Sequence, residues 1–248
     1  MPVNRWAEAA LSHMSARPDR EPSPHDRKEL YELTLLLALL LLTLAVSLIK
    51  GQDVFIFAYI MTIIYAVGGP RRHNRPWGEL GLKRGFVEDL RRVWPYSAIV
   101  AVLFQVLPPT LVVAHVLGYG DELLGHITSR LSVDFGSPEG VVAVGGLLAA
   151  ALVLTLAEEI VFRVTIQERL SWFIGTRGAI LIAAVVFGLA HAVGTSGSPL
   201  VTLTDVSGVV LDGVFFGIIY AKTHNLAVTW ATHYAADVVG LFVLSFIF

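Results

Sequence analysis

Seven apolar stretches, most of them long enough to cross a bilayer, constrain this chain more than any other feature. They run at about 30–49, 54–67, 94–117, 141–157, 179–193, 206–221 and 226–248. An apolar helix of about 20 residues matches the roughly 30 Å hydrocarbon core of a membrane. Lipid offers no hydrogen-bond partner to an exposed peptide group, so such segments cross as helices. Composition agrees, with 55% hydrophobic residues, 15% charged residues and a mean hydropathy of +0.68. The expected fold is all-α: a polytopic transmembrane helical bundle of about seven spans, with six to eight the range.

The rest of the chain divides simply. Residues 1–29 are polar and carry Pro18, Pro22 and Pro24 among mixed charges, which reads as a mobile tail. Residues 30–248 form the transmembrane domain, with a motif-bearing core at about 141–239. There are no cysteines, so disulfides, thiolate chemistry and Cys-based zinc sites are excluded. Basic residues flank membrane segments without a stacking platform, so no nucleic-acid partner is expected.

Charge orients the bundle. With the N-terminus inside, only Lys50 and Arg130 of the 18 Lys and Arg fall on the outer side. Positive residues gather on the cytoplasmic side of membrane proteins, so an integral cell-membrane protein with a cytoplasmic N-terminus is expected. The strongest inner cluster is Arg71, Arg72, Arg75, Lys83, Arg84, Arg91 and Arg92. Pro108-Pro109 should break the third segment. Gly213 and Gly217 give the sixth a small-residue face suited to close helix contact.

The chemistry lies in ionisable residues inside the apolar segments. A charged side chain at mid-membrane costs about 2.5–3.5 kcal/mol on an insertion scale, and such residues mark functional sites by default. Glu158 and Glu159 are about 100° apart on a helix, so one can face a cavity while the other turns to Arg163, four residues on. Phe187 and His191 share a helix face, as do His233 and Asp237. A carboxylate beside a neutral imidazole can deprotonate a water for attack on a carbonyl. A second imidazole with a polar neighbour can hold the oxyanion that forms. The same Glu158, His191, His233 and Asp237 can instead bind a divalent metal such as zinc, which lowers the pKa of a bound water. By rise per residue, His191 sits deeper from the inner face than His233, a mismatch the fold has to reconcile.

Other signals read as structural. Gly118-Tyr-Gly-Asp121 spells a Gly-x-Gly-Asp motif of intramembrane aspartyl proteases, but no partner aspartate motif accompanies it, and it reads as a loop turn. His115 reads as a packing residue.

Glu158-Glu159-Ile-Val-Phe-Arg163, Phe187-Gly-Leu-Ala-His191 and His233-Tyr-Ala-Ala-Asp237 stand in one order on three segments. This set resembles the signatures of the CPBP (CAAX protease and bacteriocin-processing) intramembrane proteases, which include the Rce1-type enzymes. Phe162, Gly213, Gly217, Thr223, Leu226 and Trp230 are similar too. The resemblance implies a membrane-embedded endopeptidase acting on a membrane-protein or membrane-associated peptide. It makes Glu158 with His191 the water-activating pair and His233 with Asp237 the oxyanion site. Glu159, Arg163 and Phe187 would support them. It leaves glutamate-type and metal-dependent catalysis both open. Val164 stands where the family often has Gly, and Asp237 where many members have Asn. An ionised Asp accepts hydrogen bonds but does not donate them, so Asp237 would have to be protonated, orient His233 or hold a metal. The alternatives are a non-catalytic member of the same fold, with a bacteriocin-immunity or scaffold role, and a proton-coupled transporter.

Overall fold

A computed structural model describes residues 24–50, 54–72, 81–129, 137–193 and 198–247. Residues 1–23 of the polar tail and 73–80 of the basic loop lie outside the described residues. Every element among the described residues is helical, without a strand. Five helices are long and apolar enough to cross a membrane, and Phe55–Gly68 is a shorter apolar one. Large apolar side chains such as Leu42, Ile49, Phe57, Val142 and Val153 are exposed around the perimeter. A surface of that kind suits lipid rather than water, and the molecule is an integral membrane protein.

Helix α1 (Pro24–Lys50) and helix α2 (Phe55–Arg72) form a hairpin, in which the buried Ser47 hydroxyl accepts from Phe55 N at 3.0 Å. Helix α3 (Phe86–Ala98) continues through a π turn, Ile99–Leu103, to Val106. It breaks at Leu107 (φ −131°, ψ 76°) before α4 (Pro109–Val116). The expected Pro108-Pro109 break is there: the second proline opens a new helix, where its missing N–H costs nothing. Gly118 (φ 85°) makes the turn into α5 (Gly120–Ser129), so Asp121 lies in the first turn of a helix. His115 is exposed rather than packed.

Helix α6 (Pro138–Glu159) starts under a Ser137 cap. It runs without a break into a π segment, Ile160–Gln167, and then α7 (Glu168–Ala190). That run of 53 residues would be about 80 Å long if straight, far more than one bilayer. Gly175 turns it, at φ 78° and ψ 158°, a conformation open to glycine alone. Helix α8 (Pro199–Thr223) and helix α9 (Leu226–Ile247) complete the bundle.

Close approach of α7 to α8 depends on missing side chains. A Cβ on Gly188 would sit 2.4 Å from Val210 Cγ2, and one on Gly213 would sit 3.1 Å from Phe187. The turn between α8 and α9 is held inside the protein, with Thr223, Asn225 and Leu226 buried. Leu226 N donates to Gly81 O at 2.9 Å, and Asn225 Nδ2 donates to Asp89 at 2.9 Å. Arg177, near the start of the α7 leg that leads to His191, is exposed instead. Whatever the residue count from the inner side, the fold brings His191 and His233 to the same carboxylate, Glu158. Arg163 is wholly buried, so it is not a loop charge.

Candidate functional site

The α6–π junction positions both glutamates. All seven residues from 161 to 167 are buried, so this stretch runs through the middle of the bundle. Its winding is the wider π form, and Thr165 Oγ1 donates back five residues to Ile160 O at 2.9 Å. Glu158 and Glu159 then separate. The Glu158 side chain keeps 23% exposure, whereas Glu159 has none. Glu159 Oε2 accepts from Arg163 Nε at 3.3 Å, and the guanidinium lies near the rings of Phe187 and Phe216, 5.3 and 5.8 Å from their centroids.

Helix α7 delivers His191 at its C-terminal cap. Its Nδ1 is 2.9 Å from Phe187 O, and a carbonyl can only accept, so Nδ1 carries the proton. Nε2 then faces Glu158 Oε1 at 3.9 Å. The Phe187 ring packs edge-on to the imidazole at 4.7 Å.

Helix α9 delivers His233, which is buried. Its Nδ1 donates to Glu159 Oε1 at 2.9 Å. Its Nε2 faces Glu158 Oε2 at 3.5 Å and Asp237 Oδ1 at 3.8 Å. Phe216 from α8 stacks on this ring at 4.3 Å, and Phe187 meets it edge-on at 5.6 Å. Two ties hold α9 in register beside it. Trp230 Nε1 donates to Leu152 O at 3.0 Å, and the Thr232 hydroxyl pairs with that of Ser97 at 3.0 Å.

All seven residues singled out in the sequence thus meet in one place. Glu158, His191 and Asp237 form its accessible side, and Glu159, Arg163 and His233 its buried back. Val164 packs with Tyr220 and Leu226.

Four further residues belong to the surroundings; of these, Gln105 and Asp212 stand out in the sequence as polar groups inside apolar segments, and Phe216 and Tyr59 do not. Phe216 supplies the stacking face. Among the described residues the buried Tyr59 hydroxyl has no hydrogen-bond partner, and its ring lies 6.4 Å from that of Phe162. Gln105 Nε2 contacts Asp212 Oδ2 at 3.5 Å, at the wall of a cavity of about 370 Å³ lined largely by apolar side chains such as Leu107, Leu111 and Val209.

The donor types suit a metal: both imidazoles turn Nε2 inward, a ligand atom whenever it is unprotonated, while a carbonyl or carboxylate holds Nδ1. The placement does not. Among the described residues no group of three or more such side chains is set to hold an ion.

Residues 140–239 match the family model described as Rce1-like, type II CAAX prenyl endopeptidase. This core resembles the Rce1-like family. No curated protein and no solved structure matches the chain. The Rce1-like match contains all three motifs and ends two residues beyond Asp237, so it covers the same elements that meet at the site. At the level of the family, the likeness is to a membrane protease.

Proposed function

We propose that this chain is an intramembrane endopeptidase that hydrolyses a peptide bond with a water activated by Glu158 and His191. The observation that carries the reading is one partly exposed carboxylate facing two imidazoles at 3.5 and 3.9 Å, within an Rce1-like segment. A water between Glu158 and His191 can donate to both. Glu158 takes its proton as the oxygen attacks the scissile carbonyl. His233, protonated, donates from Nδ1 to Glu159 and from Nε2 toward the oxyanion. Asp237, an acceptor at 3.8 Å from His233 Nε2, orients that ring. Collapse of the intermediate breaks the C–N bond, and protonated Glu158 returns its proton to the leaving amine.

The substrate is a membrane-protein or membrane-associated peptide, and the apolar cavity beside Gln105 and Asp212 has room for part of it. The positive-residue bias supports a cytoplasmic N-terminus. The test is cleavage of a tagged membrane-protein library by the purified protein in lipid discs, with and without chelator. Cleavage that persists under chelation supports the glutamate-type mechanism, and cleavage restored only by added zinc would replace it with a metal-dependent one. No cleavage of any member would leave a non-catalytic role for the same fold.

A further inference from the structure

Gln167 is a buried amide eight residues after Glu159, at the end of the π segment. In an apolar interior an aliphatic side chain would fill that space without the cost of desolvating an amide. Gln167 Nε2 instead donates to Gly217 O, across to α8, at 2.8 Å. The fit is close: a Cβ on Gly217 would lie 2.8 Å from Gln167 Oε1 and 3.0 Å from Ile180. One residue earlier on α8, Phe216 stacks on His233.

The winding explains how this contact reaches the site. Along an α-helix, residues four apart advance by about 40° around the axis. In the wider π turn both Arg163 and Gln167 reach α8: the guanidinium lies 5.8 Å from the Phe216 ring and the amide donates to Gly217 O. Glu159 holds His233 Nδ1, Arg163 holds Glu159, and Gln167 anchors the segment to α8.

We infer that Gln167 is a positioning residue: by pinning the π segment to Gly217 it sets where Glu159 presents its carboxylate to His233. The inference rests on the proposed peptidase reading for its kinetic consequence, but not for its structural one.

The experiment uses full-length protein in lipid discs, with Q167L and G217A as two independent ways of breaking the tie. Nitrogen-15 histidine NMR reads the proton on His233 Nδ1, which a general loss of packing short of unfolding would not move. In the wild type the Nδ1 proton is held in a short hydrogen bond to Glu159, and in both variants its signal should shift toward that of an unbonded, exchanging N–H. Against a cleavable peptide, kcat should fall about 10–100-fold with KM within twofold, and the double variant should lose no more than the worse single one. A wild-type His233 signal in both variants overturns the inference even if nothing is cleaved, and fully additive kinetic losses also contradict it. If Q167L does not insert, Q167M keeps the unbranched stem and carries the same test. Loss of the fold in both would overturn the positioning role in favour of global stability.

Discussion

Glu159 joins two buried groups of opposite need: one oxygen accepts from Arg163 Nε at 3.3 Å, and the other accepts from His233 Nδ1 at 2.9 Å. Glu159→Gln is therefore expected to act twice. It leaves the guanidinium without a counter-charge, at a cost of about 3–5 kcal/mol, and it removes the carboxylate that fixes the His233 ring and its charge, which lowers kcat by about 10²–10⁴-fold. Unfolding in detergent reads the first effect and peptide kinetics the second. A variant that loses activity alone, with unchanged stability, would contradict the shared role.

The contact between α7 and α8 admits no methyl group at Gly188, where a Cβ would lie 2.4 Å from Val210 Cγ2 and 3.0 Å from Val206 O. Gly188→Ala should destabilise by about 1–3 kcal/mol through overpacking. Gly145→Ala has open space around it and should gain up to about 1 kcal/mol from helix propensity. Thermal unfolding of the two variants should move in opposite directions.

His224 offers a pH handle outside the spans. Its Nδ1 lies 3.2 Å from Glu168 Oε2, and the hydrogen bond to that carboxylate raises its pKa above the ordinary histidine value, against an opposing effect of burial. A pKa raised on folding adds stability that is fully present below the unfolded value of about 6.5 and is lost as pH rises through the folded value. The ring is well exposed, so the gain is below about 1 kcal/mol. Stability should fall slightly as pH rises from 6 through the folded value, and Glu168→Gln should flatten that slope. An unchanged slope in the variant would sink the assignment.

What the sequence made legible was whatever repeats on a helix face or interrupts one. The i,i+4 pairs Phe187–His191 and His233–Asp237, the split between Glu158 and Glu159, the Pro108-Pro109 break and the Gly213/Gly217 face all follow from regular helix geometry. The π segment has no such period, and its burial on every side shows only in three dimensions. Phe216 and Gln167 look like ordinary packing residues in one dimension. Gln105 and Asp212 meet across 107 positions, which no local pattern records. His115 reads as a packing residue but is exposed, and a single polar residue on a short helix has no period that tells its face.

The central claim is that Glu158 and His191 together activate the water. Its most direct test compares cleavage of one peptide substrate by purified wild type, Glu158→Ala and His191→Ala, each checked for membrane insertion. Both variants should insert normally and lose cleavage, by at least about 10²–10⁴-fold for loss of a general base. Full activity in either inserted variant would contradict the account.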